Sequence, residues 1–91
     1  MNIMKTFNEI TKYMNDLYEK KNHDYGNSFD ISLNKYGIIA ALTRISDKFN
    51  RLESLILKKE VKIEDEKIED TLIDLASYCI MTLKWKNENQ R

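Results

Sequence analysis

No proline and only two glycines, Gly26 and Gly37, interrupt this 91-residue chain. Domains rich in β-structure need many tight turns, and tight turns draw on those residue types for a fixed or a positive φ. A chain so poor in both is restricted to a few long helices, so the expected class is all-α. The length fits one domain, residues 1–91. A chain of this size buries well under about 70% of the surface its unfolded form exposes, which makes a monomer a marginal folding unit by itself.

The apolar positions divide the chain into three main helices. Ile3, Phe7, Ile10, Met14 and Leu17 recur at spacings of three and four, predicting a helix over about residues 3–21. A second helix is expected over 38–57, with Ile38, Leu42, Ile45, Phe49, Leu52 and Ile56 as its core stripe. A third begins near Asp65 and reaches about Trp85, with Ile68, Leu72, Leu75, Cys79 and Leu83 facing inward. Residues 22–37 read as a connecting loop, because Asn22, Asp24 and Asn27 favour turns and Gly26 can take positive φ. Within that loop Phe29, Ile31, Leu33 and Tyr36 are expected to act as apolar anchors or to form a short helical turn. The architecture is thus a small bundle of three main helices, completed by homo-oligomerisation to at least a dimer, which supplies a second helical layer.

Charge excludes one large class of function. Fifteen basic and fifteen acidic residues cancel, and neither half of the chain is a basic tail. Salt-driven binding to long nucleic acid needs a concentrated positive face, so it is not expected. A single cysteine, Cys79, excludes an intrachain disulfide and reads as a buried, inert thiol. With one histidine besides, a zinc site would have to import carboxylates or a second chain. No stretch approaches a membrane span and the first residues lack the apolar core of a signal peptide, which points to the cytoplasm.

Chemistry is concentrated beside the core stripes. Asp70 and Asp74 lie one i,i+4 step apart and project from one side of the third helix, with Lys67 before them and Tyr78 after. Like charges at that spacing weaken a helix by a few tenths of a kcal/mol, unless a divalent cation or basic groups lie between them. With about 100° of rotation per residue, Arg44, Lys48 and Arg51 fall together beside the stripe of the second helix, and Asp47 lies on its outer side. Guanidinium groups grip phosphate in bidentate fashion, and Mg²⁺ takes carboxylate and phosphate oxygens together. The same residues could instead pair across two antiparallel helices and bind nothing. Lys21, Asp24 and Tyr25 form a third candidate group in the loop, suited to covering a base or sugar. No phosphate-binding glycine loop, dinucleotide fingerprint, HExxH motif or nucleophile elbow is present.

Three ordered segments carry a family resemblance: Lys21-Asn-His-Asp24-Tyr25-Gly26-Asn-Ser-Phe29, then Arg44-Ile-Ser-Asp47-Lys48-Phe-Asn-Arg51-Leu52, then Glu69-Asp70-Thr71-Leu72-Ile-Asp74-Leu75-Ala76-Ser-Tyr78. Together they resemble the nucleotide modification associated domain, type one, a small family frequent in bacteriophages. More remotely, the pattern is similar to the all-α, MazG-like nucleoside triphosphate pyrophosphatases. That resemblance implies a helical, oligomeric, Mg²⁺-dependent enzyme that splits a nucleoside triphosphate into the monophosphate and pyrophosphate. Asp70 and Asp74 match the acidic pattern of the later helix. The earlier helix departs from it: the usual paired glutamates are absent, Asp47 stands among Arg44, Lys48 and Arg51, and Glu53 projects to the other side.

Three readings follow. In the first, a phosphoanhydride hydrolase, Asp47, Asp70 and Asp74 hold Mg²⁺. Lys48, Arg44 and Arg51 then neutralise phosphate charge, and Lys21, Asp24, Tyr25 and Tyr78 recognise the nucleotide. In the second, the same residues bind or sequester a nucleotide without catalysis, as the missing glutamates suggest. In the third, the chain is a helical adaptor or inhibitor that binds a protein partner, and the charges are structural.

Overall fold

A computed structural model describes residues 3–25, 27–58 and 65–89. It is all-α and contains four helices among them: α1 (Phe7–Tyr25), α2 (Ser28–Tyr36), α3 (Ile38–Leu57) and α4 (Asp65–Glu88). The expected three-helix bundle with a 22–37 loop is therefore corrected, because most of that segment is helical. Residues 22–25 extend α1, and residues 28–36 form α2. Gly26, the expected turn residue, lies outside the described residues.

The start of α1 follows from a Thr6 N-cap. The Glu9 N–H donates to Thr6 Oγ1 at 3.0 Å, and the Thr6 hydroxyl donates to Glu9 Oε1 at 2.9 Å. Satisfying the Glu9 N–H in this way sets a helix boundary; Ile3 lies before α1, and it and Phe7 are exposed at 71% and 85%.

The α2 segment is rich in turn-formers, yet its apolar residues have helical phase. Phe29 and Leu33 are one i,i+4 step apart and face inward, and Leu33 is fully buried, whereas Ile31 and Tyr36 are exposed. Asn27 holds left-handed φ of 57° before the helix. At its other end Gly37 takes φ of 75° and donates its N–H to the Leu33 carbonyl at 2.8 Å. An L-residue with a side chain at that φ is strained by about 1 kcal/mol or more, so Gly37 separates α2 from α3 by a sharp bend.

The main packing is between α3 and α4, with α2 against both and α1 along α4. The Trp85 indole N–H donates to Asn34 Oδ1 at 2.8 Å, which ties the end of α4 to the α2–α3 junction. Since α4 ends where α3 begins, the two run antiparallel. Ala41, Ile45 and Leu52 on α3 and Thr71 and Leu75 on α4 are buried or half-buried. Buried Thr71 satisfies its hydroxyl by donating to the Lys67 carbonyl at 2.7 Å. Among the described residues the fully enclosed apolar set is small: Met14, Leu33 and Ala41.

Much of the expected core stripe lies on the surface. Ile38, Leu42, Phe49 and Ile56 on α3 are each more than half exposed. Leu72 and Leu83 on α4 are 46% and 58% exposed, and Cys79, expected to be buried, is exposed. Each helix carries two adjacent apolar lines, and only one of them packs inside this chain.

Candidate functional site

Three helices bring their polar residues together on one side of the α3–α4 pair. Lys48, in the middle of α3, reaches Asp74 Oδ2 on α4 at 3.1 Å. Lys21, near the end of α1, reaches Asp74 Oδ1 at 3.7 Å. One carboxylate is thus flanked by two ammonium groups, leaving a local excess of positive charge. Asp74 and Lys48 are about 30% exposed, and Lys21 is 55% exposed. An ion pair at that exposure contributes on the order of 1 kcal/mol, so the cluster adds little to stability for the charge it concentrates.

The cluster borders a cavity of about 380 Å³ between α1, α2, α3 and α4. Lys21, Lys48 and Asp74 form its charged part, Asn22, Ser28 and Ser77 add hydrogen-bonding groups, and Leu17, Tyr18, Phe29, Tyr78 and Met81 form an apolar and aromatic wall. Phe29 and Tyr78 meet edge to face, with ring centroids 5.0 Å apart and planes at 73°. Such a contact holds both rings in place. The volume lies in the range of small-ligand sites, which combine apolar walls with a few polar groups.

Of the residues singled out in the sequence, Lys21, Lys48, Asp74 and Tyr78 come together at this cavity. Asp47, Asp70, Asp24 and Arg51 are exposed and are not among its lining residues. Arg44 lines a different cavity of about 280 Å³, beside Ser32, Tyr36 and Thr43. Tyr25 ends α1, and its side chain lies outside the described residues. Among the described residues, no three His, Cys, Asp or Glu side chains stand together as a cation site. Spacing gave Tyr18, Asn22, Phe29 and Ser77 no ligand-binding role; Asn22, Phe29 and Ser77 nevertheless sit inside the three motif segments, which was the available signal.

The pattern of Nucleotide modification associated domain 1 matches residues 21–84. Its span starts at Lys21 and takes in Lys48, Asp74 and Tyr78, the residues that meet at the cavity. The chain belongs to the Nucleotide modification associated domain 1 family. No curated protein and no solved structure gives a significant match to it. Membership in this domain family associates the chain with nucleotide modification in coarse terms, and the particular chemistry has to be argued from the site. Among the described residues no helix is long and apolar enough to cross a membrane.

Proposed function

We propose that this member of the Nucleotide modification associated domain 1 family binds a nucleotide in the cavity bordered by Lys21, Lys48 and Asp74. The observation that carries the reading is the placement of two ammonium groups beside an aromatic wall, in a cavity built from all three motif segments. Phosphate oxygens accept strong charge-assisted hydrogen bonds from ammonium donors. Asp74 keeps both ammonium groups at the cavity before a ligand arrives, and its carboxylate can accept from a sugar hydroxyl. Phe29, Tyr78 and Tyr18 offer ring surfaces to a base.

Calorimetric titration of a panel of ribo- and deoxyribonucleotides tests this, with the wild type beside Lys48→Ala and Asp74→Asn. Binding by the wild type, weakened about tenfold or more in Lys48→Ala, is expected. An affinity indifferent to both substitutions would remove the cavity from the account.

The second reading is Mg²⁺-dependent phosphoanhydride hydrolysis, as in the MazG-like pyrophosphatases. It is favoured by one observation, the half-buried carboxylate of Asp74 at the cavity. Asp47 and Asp70 would have to join it, although both are exposed away from the lining residues and Asp74 is engaged by two ammonium groups. Chromatography of nucleotides after incubation with concentrated protein and Mg²⁺ separates the two readings. Intact nucleotide supports binding alone, and metal-dependent monophosphate with pyrophosphate supports hydrolysis.

A further inference from the structure

Among the described residues, the opposite side of the α3–α4 pair is largely apolar and uncovered. On α3, Ile38, Leu42, Phe49 and Ile56 lie on one line, and Ile45 and Leu52 complete its four-three spacing at the margin of the α4 contact. On α4, Leu72, Ala76, Cys79 and Leu83 repeat at intervals of four, three and four, and all are exposed. Both sets have the period of helices that pack side by side along their length. None of these positions is charged, in a chain with thirty charged residues.

The two lines share one side of the molecule. The line lies roughly 55° around α3 and roughly 90° around α4 from the inward-facing residues, turned in the direction of increasing residue number. For antiparallel helices the same sense of rotation leads to the same side, so the lines merge into one two-helix face. That face points away from the charged cavity. Lys48 and Phe49, and likewise Tyr78 and Cys79, are sequence neighbours about 100° apart, so one of each pair serves each side.

We infer that this face is the contact between two copies of the chain, closing the α3–α4 pairs into a four-helix layer. The six large side chains on it expose roughly 600 Å² per copy, or about 1,200 Å² over a pair, which reaches the size of a specific interface. An exposed apolar surface of that extent is unusual for a monomer, and the charged Glu53, one i,i+4 step from Phe49, stands at its edge. A second copy matches it in shape and chemistry: helical on both sides, mostly apolar, and of equal length. It also supplies the buried apolar layer missing from a chain whose enclosed set is Met14, Leu33 and Ala41 among the described residues. Each copy keeps its own charged cavity on the outside of the pair.

Sedimentation equilibrium on the full chain tests the pairing. The wild type is expected at twice the 10.9 kDa chain mass. Phe49→Glu and Leu72→Glu, each tested separately, should weaken association by about 100-fold or more, since each buries two unpaired carboxylates per pair. Both sites are half exposed within one chain, so helical circular dichroism should persist. Phe7→Glu and Ile31→Glu, at exposed positions on other faces, should leave the pair intact. A thiol reagent provides a test on the unaltered protein: Cys79 should react at least tenfold faster on dilution below the association midpoint. A wild type that is monomeric at every concentration overturns the inference and gives the face to a different protein. So does a dimer broken by Phe7→Glu but not by Phe49→Glu or Leu72→Glu, or a Cys79 reactivity independent of concentration.

Discussion

The two sides of the α3–α4 pair are made by the same helices, yet they carry opposite chemistry. One side gathers Lys21, Lys48 and Asp74 around a cavity with an aromatic wall. The other presents Leu42, Phe49, Leu72 and Leu83 to solvent. Division of chemistry by helix face lets a small chain keep a charged cavity open to water on one side and present an apolar surface on the other. A substitution on one side should therefore leave the other side's function alone, and that separation can be broken or sharpened by experiment.

Phe49→Glu gives the largest expected effect. Association should fall by about 100-fold or more while nucleotide affinity per chain stays within about twofold, measured by titration of the same preparation. Loss of both together would show that the cavity depends on the pair. Its sequence neighbour supplies the converse: Lys48→Ala should lower nucleotide affinity about 10- to 30-fold and leave the sedimenting mass unchanged. Trp85→Phe acts on the scaffold that both sides share. Removing the indole donor from Asn34 should cost about 0.5–1 kcal/mol of stability, read as a lower thermal midpoint, with neither function selectively affected. Lys21→Ala should reduce nucleotide affinity by only about threefold, because that ammonium is more exposed and lies farther from Asp74 than Lys48 does. Asp47→Asn is the smallest change, within about twofold for affinity and for mass; a large effect would return weight to the hydrolytic reading.

The helical class was legible from the shortage of glycine and proline, and the period of α3 and α4 from their apolar spacing. What spacing could not give was which of two adjacent apolar lines packs inward. Ile45 and Leu52 are half-buried, while Leu42 and Phe49, part of the same stripe, remain exposed. Residues 28–36 read as loop or at most a short helical turn, because Asn22, Asp24, Gly26 and Asn27 mark turns just before them and the segment itself holds Ser28, Asp30 and Asn34. Burial of Leu33 and the Phe29–Tyr78 contact outweigh that preference and hold the segment helical. At the site, Lys21, Lys48, Asp74 and Tyr78 could be singled out because three motif segments carried them. Arg44, Asp47, Arg51 and Asp70 share helices with those residues, but a wheel drawn on one helix does not contain the position of its neighbours. The placement of α1 and α2 decides that Phe29 and Tyr18 line the cavity and Asp70 does not.

The most direct test of the account is calorimetric titration of nucleotides into the wild type and Lys48→Ala at matched protein concentration. The account predicts saturable binding of at least one nucleotide at one site per chain, weakened about tenfold or more by Lys48→Ala. Binding that is unaffected by the loss of Lys48, or no binding by any nucleotide tested, would contradict it.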